Sequence, residues 1–238
     1  MNKKRLIFIV IIVAIIIGLL FINSKFNNKS TISDAMKFKE EYESLNNTKN
    51  DNGKEYRNIS IPSDNPFLYL TADDIVKKMD NKESFAVYFG FSKCPWCRSV
   101  LPTLIDVASD LGIDSIYYVD VLDIRNTLEV KDGEVVETKK GTSAYYKLLD
   151  KFDSVLDDYS LYDEDGNEVS SNQKRIYAPN VVTVLAGKPE SLTTGIADSQ
   201  NDAYMELSED MINDTYNKFK CTLECLSTKD TVCTKNAC

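Results

Sequence analysis

The chain has 238 residues, 43% of them hydrophobic, and carries 28 bases against 37 acids for a net charge of −9. That is enough apolar material for one core, and the acidic balance excludes nucleic acid as a partner and a polybasic grip on anionic lipid. Histidine is absent, which removes a favoured ligand of zinc and copper sites; no cofactor or metal is expected.

Lys3-Lys4-Arg5 opens the chain and is followed by an unbroken apolar run over 6–22. At about 1.5 Å per residue this run covers roughly 26 Å, close to the thickness of a hydrocarbon core. It is longer than the hydrophobic stretch of a cleaved signal peptide. No A-x-A-like cleavage site and no lipid-accepting cysteine follow it. The expected element is an uncleaved, single-pass signal anchor spanning 1–26, and the leading bases place the N-terminus in the cytoplasm. The rest then lies outside the cell membrane, on the oxidising side where disulfides persist. All acids lie beyond the anchor and three bases precede it, so the exported part sets 25 bases against 37 acids, a net −12.

Residues 27–66 read as a linker with a helical extension. Ala35, Phe38, Tyr42 and Leu45 recur at helical steps, and the Lys/Glu mixture around them reads as a solvated face. Ile59, Ile61, Phe67, Tyr69 and Leu70 suggest an edge strand broken by Pro62 and Pro66. Thr71 is a candidate N-cap for a helix whose inward residues are Ile75, Val76 and Met79. The apolar run over 84–91 reads as a buried strand.

Next stands the sharpest motif, Cys94-Pro95-Trp96-Cys97. Two thiols at this spacing close a small ring. With the first at a helix N-terminus, unpaired N–H groups and the helix dipole stabilise the attacking thiolate. Val100, Leu101, Leu104, Ile105, Val107, Ala108 and Leu111 continue the helix up to Gly112. A structural disulfide and half of a zinc site are the competing readings of the motif. Lys93 and Arg98 flank it and are expected to stabilise the Cys94 thiolate.

The run over 115–121 is another core strand, so the order βαβαβ predicts a parallel, helix-flanked sheet. A hairpin is expected over 128–138, turning at Asp132-Gly133. A helix over 143–156 should face Tyr146, Leu149, Phe152 and Val155 inward, and a polar segment then runs over 157–175. Its Asp163-Glu164-Asp165-Gly166-Asn167 reads as a turn, since a calcium loop would need ligands where Leu161 and Asn172 stand. Ala178-Pro179 precedes the β-branched run 181–185, a position where proline takes the cis form. A hairpin turning over 186–189 leads to a strand over 190–195. Ser208 is the candidate N-cap of a last helix, with Met211, Ile212, Tyr216 and Phe219 inward.

Over residues 67–220 this order of elements, with Cys94-Pro95-Trp96-Cys97 and Ala178-Pro179, resembles the thioredoxin superfamily. More narrowly it is similar to membrane-tethered thioredoxin-like proteins of Gram-positive bacteria, including the bacteriocin-transport accessory group, on Tyr88-Phe89-Gly90 and Cys94-Pro95-Trp96-Cys97-Arg98. The resemblance implies an α/β three-layer sandwich with a mixed central sheet and an insertion at about 125–175. It implies Cys94 as an exposed attacking thiolate and Cys97 as the buried resolving thiol. Pro179 would be the cis-proline facing them, with the Ala178 backbone pairing with substrate. Tyr88 stands where many thioredoxins carry a buried Asp, which leaves the proton acceptor for Cys97 open.

The tail over 221–238 carries Cys221, Cys225, Cys233 and Cys238. They read as two structural disulfides with three possible pairings. The shared helix face of Cys221 and Cys225 favours the nested pairs 225–233 and 221–238. A second redox relay pair and a four-thiolate zinc site are the alternatives. The expected function is a membrane-anchored thiol–disulfide oxidoreductase acting on exported protein or peptide thiols and disulfides, with a membrane redox partner as a second candidate contact. The alternative is a non-catalytic module that binds an exported peptide or transporter.

Overall fold

The computed structural model describes residues 32–229. The anchor read from residues 1–26, and Cys233 and Cys238, lie outside the described residues. Among the described residues no helix is long and apolar enough to cross a membrane.

The fold is mixed α/β. Helix α1 (Asp34–Glu43) is followed by β1 (Phe67–Tyr69), α2 (Ala72–Asp80), β2 (Phe85–Gly90), α3 (Pro95–Leu111) and β3 (Ile116–Asp120). Then come β4 (Thr127–Lys131), β5 (Glu134–Lys139), α4 (Ser143–Phe152), β6 (Asp158–Tyr162) and β7 (Glu168–Lys174). The chain closes with β8 (Asn180–Leu185), β9 (Lys188–Thr193) and α5 (Glu209–Leu223). The central sheet has five strands in the order β1-β3-β2-β8-β9. β1, β3 and β2 run parallel, as βαβαβ connectivity requires, whereas β8 and β9 are antiparallel.

Every residue of β2 is buried, because the pleat sends successive side chains to two separate cores. Ala86 and Tyr88 join one core with Phe38, Tyr42, Val100, Leu104 and Phe219, from α1, α3 and α5. Phe85, Val87 and Phe89 join the other with Ile75, Met79, Tyr145, Leu148 and Phe152, from α2 and α4. Helix ends follow local chemistry. Thr71 and Asp74 form a capping box on α2. Gly112 ends α3 at φ +66, a left-handed conformation that a Cβ disfavours.

Several expectations are corrected. The segment 34–66 adds to the core at both ends: Phe38 and Tyr42 are fully buried and Ile59 and Ile61 nearly so. Of the edge strand expected from Ile59 to Leu70 only β1 forms, since Pro62 and Pro66 leave Ile59 and Ile61 as irregular backbone packed on the same core. The inward face of α4 is Tyr145, Leu148 and Phe152. Tyr146 and Leu149 pack only partly; both stripes satisfy a helical period, and the sheet selects between them. The polar segment 157–175 is a second hairpin, β6–β7, hidden by its short and polar strands. Its turn closes as expected: the Asp163 carboxylate accepts from the amides of Asp165 and Asn167. The turn at Asp132-Gly133 also holds, both residues having positive φ. The last hairpin turns at Ala186-Gly187, so that Lys188 and Pro189 already belong to β9. In α5 the buried residues are Thr215, Phe219, Thr222 and Leu223, while Ile212 is exposed.

Candidate functional site

The site lies where β2 ends and α3 begins. Cys94 is the N-cap of α3 and Pro95 its first residue, a position where the missing N–H costs nothing. The Cys94 Sγ accepts the Cys97 backbone N–H at 3.2 Å. It lies 3.1 Å from the Ala178 carbonyl oxygen, to which the protonated thiol donates. The Ala178–Pro179 peptide bond is cis, as expected from its place before β8. Thus the two sharp motifs, 84 residues apart, meet at one sulfur. Both thiols are free of disulfide.

The two thiols differ in their electrostatics. Cys94 is held below the ordinary thiol range, first by the hydrogen bond it receives from the Cys97 thiol, then by the backbone N–H groups of Cys97 and Trp96 and the charge of Arg125, with burial opposing. Cys97 is pushed well above that range, chiefly by burial and then by its hydrogen bond and charge contact with Cys94. One thiol is built to ionise and the other to hold its proton.

Three assignments change. Cys94 is not exposed: only 3% of its surface is accessible, because Phe91, Trp96 and Ala178 pack around the cluster it joins. Arg98 does not serve the thiolate. It is fully buried, turned toward the segment after α1. Its guanidinium donates to the carbonyls of Arg57 and Tyr42 and to Asn46 Oδ1, each at 2.8 Å, and its cation faces the Tyr56 ring. It therefore bolts the segment after α1 onto α3. Lys93 is exposed. The cation acting on Cys94 is Arg125, held over the Phe91 ring at 5.2 Å. Nothing in the local sequence pairs Arg125 with the motif, since it arrives from the loop after β3.

Tyr88 stays at the site. It packs in the same core cluster as Cys97, and its hydroxyl pairs with that of Tyr42 at 3.2 Å. A Cβ on Gly90 would lie 2.5 Å from the Tyr88 Cζ and hydroxyl, so glycine is what lets this phenol lie over its own strand. Trp96 packs partly buried against the same core.

In the tail, Cys221 and Cys225 are disulfide-bonded. Cys233 and Cys238, the partners expected for them, lie outside the described residues. Among the described residues no cluster of His, Cys, Asp and Glu could hold a metal. No protein-family model matches the chain, and no curated protein matches it.

Proposed function

We propose that this chain is a membrane-anchored, extracytoplasmic thiol–disulfide oxidoreductase with a thioredoxin-like, three-layer fold. The observation that carries the reading is the opposed polarisation of two thiols at one helix N-terminus: Cys94 depressed, Cys97 elevated, and a cis-proline strand against the first sulfur. The sheet order and the two helix-covered faces support the fold assignment. Cys94 attacks a substrate disulfide, a mixed disulfide forms, and Cys97 resolves it. The substrate is an exported protein or peptide whose extended backbone pairs beside Ala178, and a membrane redox partner resets the dithiol.

A second reading, a tethered binding module whose CxxC is structural, is favoured by the 3% exposure of Cys94. Replacing Cys97 by Ser separates the two. Under the oxidoreductase reading, Cys97→Ser accumulates mixed disulfides on Cys94, visible as adducts on non-reducing gels and lost in Cys94→Ser. Absence of adducts, with binding activity retained in Cys94→Ser, refutes the reading.

A further inference from the structure

The loop between β3 and β4 is held in place by residues of the insertion. Asn126 is buried in it. Its side-chain nitrogen donates to Glu137 of β5 and Gln173 of β7, at 3.0 and 3.2 Å. Its side-chain and backbone oxygens accept from the two ends of the Arg175 guanidinium, at 2.9 and 3.0 Å. The Ile124 carbonyl accepts from the Thr142 amide at 2.8 Å, and the Asp123 carbonyl from Lys139 Nζ at 3.0 Å. Between these anchored residues stands Arg125, half-buried, its guanidinium 5.2 Å from the centre of the Phe91 ring. Phe91 belongs to the site, since its carbonyl accepts the Cys94 amide at 3.1 Å. Among the described residues no carboxylate pairs with Arg125 or with Arg175. Asp120, at the end of β3, turns its carboxylate to the Leu122 amide instead, at 2.8 Å.

We propose that Arg125 is a substrate-binding residue: its guanidinium takes a carboxylate of the substrate, from an Asp or Glu beside the cysteine that Cys94 attacks. The inference rests on the oxidoreductase reading. The Cys94 thiolate attacks a substrate disulfide. The Cys94–substrate bond forms, the substrate S–S bond breaks, and the electron pair leaves on the distal substrate sulfur. The negative charge that Arg125 faced at Cys94 is thereby lost. A half-buried cation without a counter-charge is costly, and a carboxylate carried in beside the attacked sulfur supplies a new one. The planar fork of arginine suits that partner, because it can hold both carboxylate oxygens at once. The reach is short. Cys94 Sγ lies 3.1 Å from the Ala178 carbonyl, where the substrate backbone pairs, and Phe91 beneath Arg125 packs on the same cluster.

The anchored loop matters for this role, because a guanidinium set in place before binding loses little freedom on binding. The overall charge works the other way: with 37 acids against 28 bases the chain repels an acidic peptide. A preference for acidic substrates therefore has to come from a local cation, and its sign is opposite to that of the general field. Lys93, exposed beside Cys94, is the other local cation and serves as the control.

The test uses the reduced full-length protein and two peptides with blocked termini, Ala-Cys-Asp-Ala and Ala-Cys-Asn-Ala, each activated as its pyridyl disulfide. Attack at the peptide sulfur releases thiopyridone, followed by absorbance in stopped flow, and only the release lost in Cys94→Ser is counted. At about 0.15 M salt the aspartyl peptide should react about tenfold faster than the asparaginyl one, the lower end of what a hydrogen bond to a charged group contributes. In Arg125→Gln this ratio should fall to one or below. The ratio cancels the separate effect of Arg125 on the Cys94 thiolate, which slows both peptides alike. Arg125→Lys, which keeps the charge, should retain a ratio above one, and Lys93→Gln should leave the ratio unchanged. A wild-type ratio at or below one would overturn the assignment. So would a ratio that survives Arg125→Gln, or one that is lost in Lys93→Gln. If the wild type releases thiopyridone from neither peptide, the oxidoreductase reading itself fails, and the assignment falls with it.

Discussion

Replacing Arg98 by Met tests whether the cation beside the motif serves the fold or the thiolate. The side chain is fully buried and, among the described residues, faces no carboxylate. Three short bonds hold it, to the carbonyls of Arg57 and Tyr42 and to Asn46 Oδ1. A bond from a charged donor contributes about 1.5–3 kcal/mol. The lower figure applies here, because removing the guanidinium also removes the cost of burying a charge. Three such bonds give about 4.5 kcal/mol, a large part of the ~5–15 kcal/mol that holds a typical domain. Urea unfolding of the reduced exported part, residues 27–238, should therefore shift to lower denaturant at an unchanged slope. The pH profile of iodoacetamide labelling at Cys94 should not move. By contrast, Arg125→Gln should slow Cys94 labelling at fixed pH while leaving the urea midpoint nearly alone. A stability loss below about 1 kcal/mol in Arg98→Met, or a rise in its Cys94 labelling pH, would refute the assignment of Arg98 as a bolt.

Three further outcomes follow from the structure. The depressed Cys94 contributes stability above the unfolded thiol pKa of about 8.5, lost as pH falls through the folded value; the elevated Cys97 contributes below that pH and is lost as pH rises. Melting of the reduced protein, relative to a Cys94→Ser/Cys97→Ser variant, should thus be most favourable near pH 8.5, and a monotonic difference would contradict the opposed shifts. Truncation after Lys220 removes fully buried Leu223, as well as the Thr222 carbonyl that accepts from Thr183 and Ser191, and should cost about 2–5 kcal/mol by thermal melts, as loss of a core Leu does; an unchanged melt would place the core boundary earlier. Gly90→Ala would set a Cβ 2.5 Å from the Tyr88 ring and should cost about 1–3 kcal/mol by thermal melts, as overpacking a core does; an unchanged melt would show that the phenol has room to move.

The order of the main strands and helices could be read from the chain because each carries its own punctuation. Thr71, Cys94, Thr142 and Ser208 all cap helices through their side chains, and the turns Asp132-Gly133 and Ala186-Gly187 each carry a glycine at positive φ. What stayed illegible depends on tertiary choice. Tyr145 and Tyr146 serve a helical stripe equally well until a sheet is set against one of them. The helix Asp34–Glu43 has its apolar stripe, Phe38 and Tyr42, legible in the sequence, but not the core that the stripe docks on. Of the site, the thiols and the proline could be read from local motifs. Arg125 could not, since it reaches Cys94 from the loop after β3.

Trp96 is the single tryptophan of the chain, and it sits between the two cysteines. A disulfide quenches a neighbouring indole by accepting its excited electron, and a dithiol does so far less. All tryptophan emission from this protein therefore originates beside the Cys94 and Cys97 sulfurs. The thirteen tyrosines can be left dark by exciting at the red edge of the indole band. The molecule thus carries its own optical gauge of redox state, readable in stopped flow without a label.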